Sequence, residues 1–176
     1  LRVNPAPVQD VDGDGDRDIV VSTYNLAADQ KWHIWVLDSL TGKVRWDFSG
    51  MYLSGLGDTD GDGIAELFCT RVERGLRIPA PADLVLYSLA GGTRTVRWER
   101  QNASWQTYNV PQLPAHVNSG ASLGAETVLC GPIAAGQRNV FFTRESVDPA
   151  SGEVQVTAWQ VAEDQKLQPI GRLRGP

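Results

Sequence analysis

Gly15-Asp16-Arg17-Asp18-Ile19-Val20-Val21-Ser22 returns 48 residues later as Gly63-Ile64-Ala65-Glu66-Leu67-Phe68-Cys69-Thr70, and this pair of octets decides how the chain is read. Each opens on a glycine, carries a carboxylate at its fourth place and closes on a short strand-forming run. A third, eroded copy stands at Gly136-Gln137-Arg138-Asn139-Val140-Phe141-Phe142-Thr143. A second element follows each copy. Ile34-Trp35-Val36-Leu37-Asp38-Ser39-Leu40-Thr41-Gly42-Lys43-Val44-Arg45-Trp46 aligns with Leu84-Val85-Leu86-Tyr87-Ser88-Leu89, then Gly91, Gly92 and Val96-Arg97-Trp98. Self-similarity at this period marks a repeat architecture. Two repeats are clear and a third is degenerate.

Working outward, the apolar runs at 19–21, 34–37, 84–87, 140–143 and 154–159 are short, β-branched or aromatic, and punctuated by Gly, Asp, Asn and Pro. That is strand composition. Leu40-Thr41-Gly42-Lys43 and Ala90-Gly91-Gly92-Thr93 read as hairpin turns, where glycine supplies positive φ. No window carries an apolar i, i+3, i+4, i+7 stripe long enough for a helix. The expected class is all-β, with about four strands per repeat. Four-stranded units of roughly 50 residues in series are the pattern of β-propeller blades. On this reading blade 1 covers about 1–50 and blade 2 about 51–100. An inter-blade loop at about 99–123 holds Trp105, Tyr108 and His116, and a degenerate blade 3 covers about 124–176. Three blades do not close a ring, so the segment 1–176 is expected to be a fragment of a larger propeller. A β-sandwich of similar strand number is the alternative.

The 176 residues are 41% hydrophobic and 21% charged, a globular composition. The net charge of −5 argues against nucleic acid as a partner. No apolar run approaches the ~18 residues of a membrane span, so this segment is not expected to insert in a membrane. The first residue is Leu1, and the expectation is a leader removed or a longer parent chain. The acids are unevenly spread. Nine of the 21 fall at Asp10, Asp12, Asp14, Asp16, Asp18, Asp58, Asp60, Asp62 and Glu66, leaving 12 acidic against 15 basic residues outside those two windows. The two cysteines, Cys69 and Cys130, sit in apolar strand-like contexts; a disulfide between them is one option and two buried thiols the other.

Carboxylates at alternate positions repel by about 1 kcal/mol or more per close pair at surface dielectric, which points to a cation among them. The spacing D-x-D-x-D-G-x-x-D/E curls around a hard ion, with ligands at positions 1, 3, 5, 7 and 9 and a glycine at 6. The first loop then offers Asp10, Asp12, Asp14, Asp16 and Asp18. The second offers Asp58, Asp60, Asp62, the Ile64 carbonyl and Glu66. All-oxygen donors favour calcium over zinc or copper, and two Ca2+ sites are expected. Position 12 is Val21 or Cys69 and both loops run into strand sequence, so neither is an EF-hand. An Asp/Gly-rich turn without metal is the plain alternative.

These residues resemble a family. Val11 to Val21 and Leu56 to Gly63 are similar to the calcium loops of FG-GAP/VCBS repeats, the blades of integrin-α-like propellers. The hairpin from Val36 to Trp46 is similar to the repeat of PQQ-like quinoprotein propellers, in which a Trp docks between blades; Trp46 and Trp98 match it and the third repeat has Pro169. The resemblance implies an extracellular, cell-surface or periplasmic module with structural calcium, used for adhesion or for binding a protein or carbohydrate, and not itself an enzyme. Two alternatives stand beside it: part of a quinoprotein dehydrogenase propeller, or a purely structural segment of a large surface protein. Cys69 and Cys130 are not adjacent, no Ser/His/Asp order or HExxH is present, and His33 reads as a strand-face residue.

Overall fold

The computed structural model describes residues 2–109, 126–132, 139–148, 150–162, 164 and 166–175. Three antiparallel meanders follow one another. The first is β1 (Arg2–Gln9), β2 (Asp18–Tyr24), β3 (Trp32–Asp38) and β4 (Val44–Ser49), paired in that order as a separate sheet. The second is β5 (Met51–Gly57), β6 (Glu66–Arg71), β7 (Ala82–Ser88) and β8 (Thr95–Trp105). After a small ribbon of β9 (Thr107–Asn109) and β10 (Glu126–Val128) comes the third: β11 (Cys130–Pro132), β12 (Asn139–Asp148), β13 (Glu153–Val161) and β14 (Leu167–Gly175). The only helical turn among the described residues is a 3-10 turn at Ala90–Gly92, where Gly91 and Gly92 take φ of 67° and 71°. The chain is all-β.

Burial explains why the strand sequences differ. β2 alternates buried and half-buried residues, as a strand covered on one face does. β6 is buried along nearly its whole length, from Glu66 to Thr70. Leu67 and Cys69 face one core with Val20, Ile34, Val36 and Phe48 of the first meander; Phe68 faces another with Trp105, Phe141 and Trp159. β7 splits likewise, Val85 and Tyr87 to the first core and Leu84 and Leu86 to the second. The second meander is the filling between the other two, and its apolar runs are continuous because both faces are dry. Trp46 packs against the first core and Trp98 against the second, where it meets Trp105 at 5.5 Å and Trp159 at 5.1 Å.

The expected picture of three separate blades needs correction. β8 runs past residue 100 to Trp105, so the start of the expected 99–123 loop is strand; residues 110–125, including His116, lie outside the described part. At its end β8 pairs with β12, Ser104 opposite Arg144 and Trp105 opposite Thr143. The second and third meanders are therefore one continuous sheet, ordered β14-β13-β12-β8-β7-β6-β5 with β11 beside β12. A bulge precedes the junction: the register slips between Ala82/Leu84, Asn102 takes φ of 51°, and Ala103 is the last β8 residue paired with β7 before the strand passes to β12. The described strands do not close into a barrel or ring. Cys69 and Cys130 are both free thiols in different core layers, and burial pushes the Cys130 thiol up to about 12.

Candidate metal centres

The first loop connects β1 to β2 and the second connects β5 to β6, and the two are built alike. Asp10 takes the Gly13 N–H at 2.7 Å on Oδ1 and the Gly15 N–H at 3.1 Å on Oδ2. Asp58 takes the Gly61 N–H at 2.6 Å and the Gly63 N–H at 2.9 Å in the same way. Asp12 and Asp14 each accept the N–H two residues on, as do Asp60 and Asp62. Nested turns of this kind need positive φ at the fourth and sixth places. Gly13, Gly15, Gly61 and Gly63 supply it at 80–89°.

Of the ten residues expected as ligands, six come together. Asp10, Asp12 and Asp18 place one carboxylate oxygen each within 4.8 Å of one another; Asp58, Asp60 and Glu66 do the same. The Asp14, Asp16 and Asp62 carboxylates stand outside these groups, and Ile64 is expected through its main-chain carbonyl rather than a side chain. The Asp14 carboxylate is taken by Arg45 at 2.7 Å, and Asp16 is exposed. The Ile64 side chain packs on the neighbouring loop, where its Cδ1 lies 2.6 Å from the point a Cβ on Gly13 would occupy. Three carboxylates with no nitrogen or sulfur donor fit a hard divalent cation that completes its shell with carbonyl and water oxygens.

Asp12 is buried too, but the ninth-position acids are the most deeply buried members. Asp18 is 2% exposed and Glu66 is 1% exposed. Burial, with repulsion from Asp12 and Asp14, pushes the Asp18 carboxyl up to about 6, although the Val11 N–H donates to it at 3.4 Å. Burial, with repulsion from Asp60 and Asp62, pushes Glu66 up to about 7 against the Thr59 N–H and hydroxyl, which donate to its Oε2 at 2.8 and 2.7 Å. Two buried, destabilised anions in corresponding places of two repeats are the perturbation that functional sites concentrate.

Sequence reasoning passed over three partners of these loops. Arg45 and Arg97 reach them from β4 and β8, bonding Asp12 and Asp60 respectively. Their signal was present, since each precedes the repeated Trp46 or Trp98. Thr59 is buried beside Glu66. Neighbouring units also grip the loops by their backbone: the Asp10 carbonyl accepts Ala65 N–H at 3.0 Å and the Asp12 carbonyl accepts Gly91 N–H at 2.8 Å. The Asp58 carbonyl accepts the Asn139 side-chain amide from β12. Away from the loops, His33 is more than a strand-face residue. Its ring nitrogens meet Asp47 at 2.7 Å and Asp29 at 2.9 Å, and the ring stacks on Trp35.

No protein-family model matches the chain, and no curated protein matches it. Among solved structures it is similar to the Bacillus licheniformis rhamnogalacturonan lyase PL11, with 19% identity and a TM-score of 0.53 over 98% of this chain and 34% of that one. It is similar to rhamnogalacturonan lyase YesW with 19% identity and a TM-score of 0.52 over the same shares. At this identity the likeness is one of fold, and the chain spans about a third of the length of those structures.

Proposed function

We propose that the chain is a calcium-organised, non-catalytic segment of a larger secreted or cell-surface β-propeller protein that binds carbohydrate. The observation that carries this reading is the recurrence of three carboxylates, the ninth-position one deeply buried, converging within 4.8 Å in the same turn of two successive units. Calcium bound there would neutralise the converging charge and fasten each turn to its sheet. The chain's own residues do the rest. Nested N–H bonds pre-form the turns, glycines allow the curvature, and Asp18 and Glu66 hold a negative charge at the floor of each loop.

The succession of four-stranded meanders, with Trp46 against the first core and Trp98 against the second, supports the blade reading. A carbohydrate partner is favoured by the fold likeness, which covers 98% of the chain. The same likeness favours a second reading, that the segment belongs to an enzyme acting on rhamnogalacturonan. Calorimetric titration of calcium into chelator-treated protein tests the first reading. Two ions should bind, with one lost in Asp10→Ala and the other in Asp58→Ala. A stoichiometry of zero refutes it. Cleavage of rhamnogalacturonan by the parent protein, abolished by changes within this segment, would establish the second.

A further inference from the structure

Each loop faces an arginine from the last strand of its own meander, but the two are engaged very differently. Arg45 Nη1 donates to Asp12 Oδ2 and to Asp14 Oδ2 at 2.7 Å, and stands 3.7 Å from Asp18 Oδ1. Its Nη2 is braced by Asp38 Oδ2 at 2.9 Å. Arg97 makes one loop contact, Nη2 to Asp60 Oδ2 at 2.9 Å. The place of Asp38 is taken in the second repeat by Ser88, whose hydroxyl accepts the Ala90 N–H at 3.3 Å, so no carboxylate braces Arg97 from there. Two of the three carboxylates gathered in the first loop, Asp12 and Asp18, are thus within reach of a guanidinium. In the second loop only Asp60 is.

Resting on the reading of both loops as cation sites, we propose that these arginines are resident competitors that grade the two sites, making the first loop the weaker one. Guanidinium and a divalent ion seek the same oxygen lone pairs, and their positive charges repel at contact range. Charge count alone ranks the loops the other way, because the first has five acids, Asp10 to Asp18, and the second has four. The bracing by Asp38 reverses that order by holding Arg45 where an ion must displace it. The second loop then stays loaded as the structural site, while the first responds to changes in external calcium. Filling the first loop loosens the tie between the β1–β2 turn and β4.

Calcium titration of chelator-treated full chain decides this. Asp58→Asn leaves the first loop and Asp10→Asn leaves the second, each keeping an acceptor for its turn. The Asp58→Asn protein should bind calcium at least ~10-fold more weakly than the Asp10→Asn protein, since a charge at ~4–6 Å is worth about one to three log units. Adding Arg45→Gln to Asp58→Asn should tighten binding by about tenfold or more, Arg45→Lys should restore the weak site, and Arg97→Gln in Asp10→Asn should change affinity by about threefold or less. Equal affinities, or a first loop unchanged or weakened by Arg45→Gln, overturn the proposal while leaving two calcium sites in place. No binding to wild type or any variant overturns the metal reading with it. If Arg45→Gln does not fold by circular dichroism, the comparison of the two Asn variants decides alone.

Discussion

Replacing Glu66 by Gln should change stability in opposite directions with and without calcium. Glu66 is almost wholly buried, accepts two bonds from Thr59, and has a carboxyl pushed by burial from 4.5 up to about 7. A carboxyl raised in the folded state binds its proton more tightly there than in the unfolded chain. Its contribution to stability therefore falls as pH climbs from 4.5 to about 7 and stays low above that. At about 1.4 kcal/mol per unit, the ionised group costs about 3 kcal/mol at pH 8. Gln keeps the shape, carries no charge, and offers an oxygen to Thr59. In chelator at pH 8 the Glu66→Gln protein should be the more stable by up to about 3 kcal/mol, roughly 5–10 °C in Tm for a chain of this size. That advantage should fade toward pH 4.5. With calcium at a thousandfold excess over Kd, wild type gains about 4.1 kcal/mol per site and Glu66→Gln forfeits one site, so the order inverts. Thermal melts by circular dichroism, with chelator or calcium at pH 5 and pH 8, read all four cases. The same sign in every condition, or a variant less stable than wild type in chelator at pH 8, would refute the reasoning.

Phe68→Ala, which empties the contact with Trp105 at 5.2 Å and Phe141 at 5.3 Å, should cost about 3–5 kcal/mol in urea denaturation, and a loss under about 1 kcal/mol would deny the second core its role. Gly13→Ala, at φ of 80° with its new methyl 2.6 Å from Ile64 Cδ1, should destabilise by about 1–2 kcal/mol or more, whereas Gly42→Ala meets no neighbour and should suffer only the backbone term. For His33, burial works against the charged ring, but Asp47 and Asp29 outweigh it and raise its pKa above 6.5. The stabilisation it contributes is complete below 6.5 and lost as pH rises through the folded value. Chemical denaturation between pH 5 and 8 should show that decline blunted in His33→Gln; an identical slope would remove His33 from the account.

The loops and strands were legible because their signals are local. Alternate carboxylates with glycine at the sixth place lie within nine residues, and β6 and β7 announce two-sided burial by unbroken apolar runs. Which carboxylates converge was not legible. Asp14 and Asp16 share the spacing of Asp10 and Asp12, and which of them converge depends on how the loop is folded against the buried Asp18, which spacing alone does not state. The joining of the second and third meanders was also hidden. It depends on a bulge at Asn102 and on pairing between Trp105 and Thr143, a long-range contact that no local pattern encodes.

The backbone grip on the loops gives the array a direction. Ala65 and Gly91 of the second unit hold the carbonyls of Asp10 and Asp12 in the first, and Asn139 of the third holds that of Asp58 in the second. Every bond in this set runs from a later unit to the loop of an earlier one. The chain then behaves as a row of dominoes leaning one way, with stability written as a sum over nearest neighbours. Deleting the first unit takes the acceptor from the Ala65 N–H but leaves the Asp58 carbonyl held, whereas deleting the third leaves that carbonyl without its donor. Unravelling from the C-terminal side should therefore reach the second loop first and the first loop last.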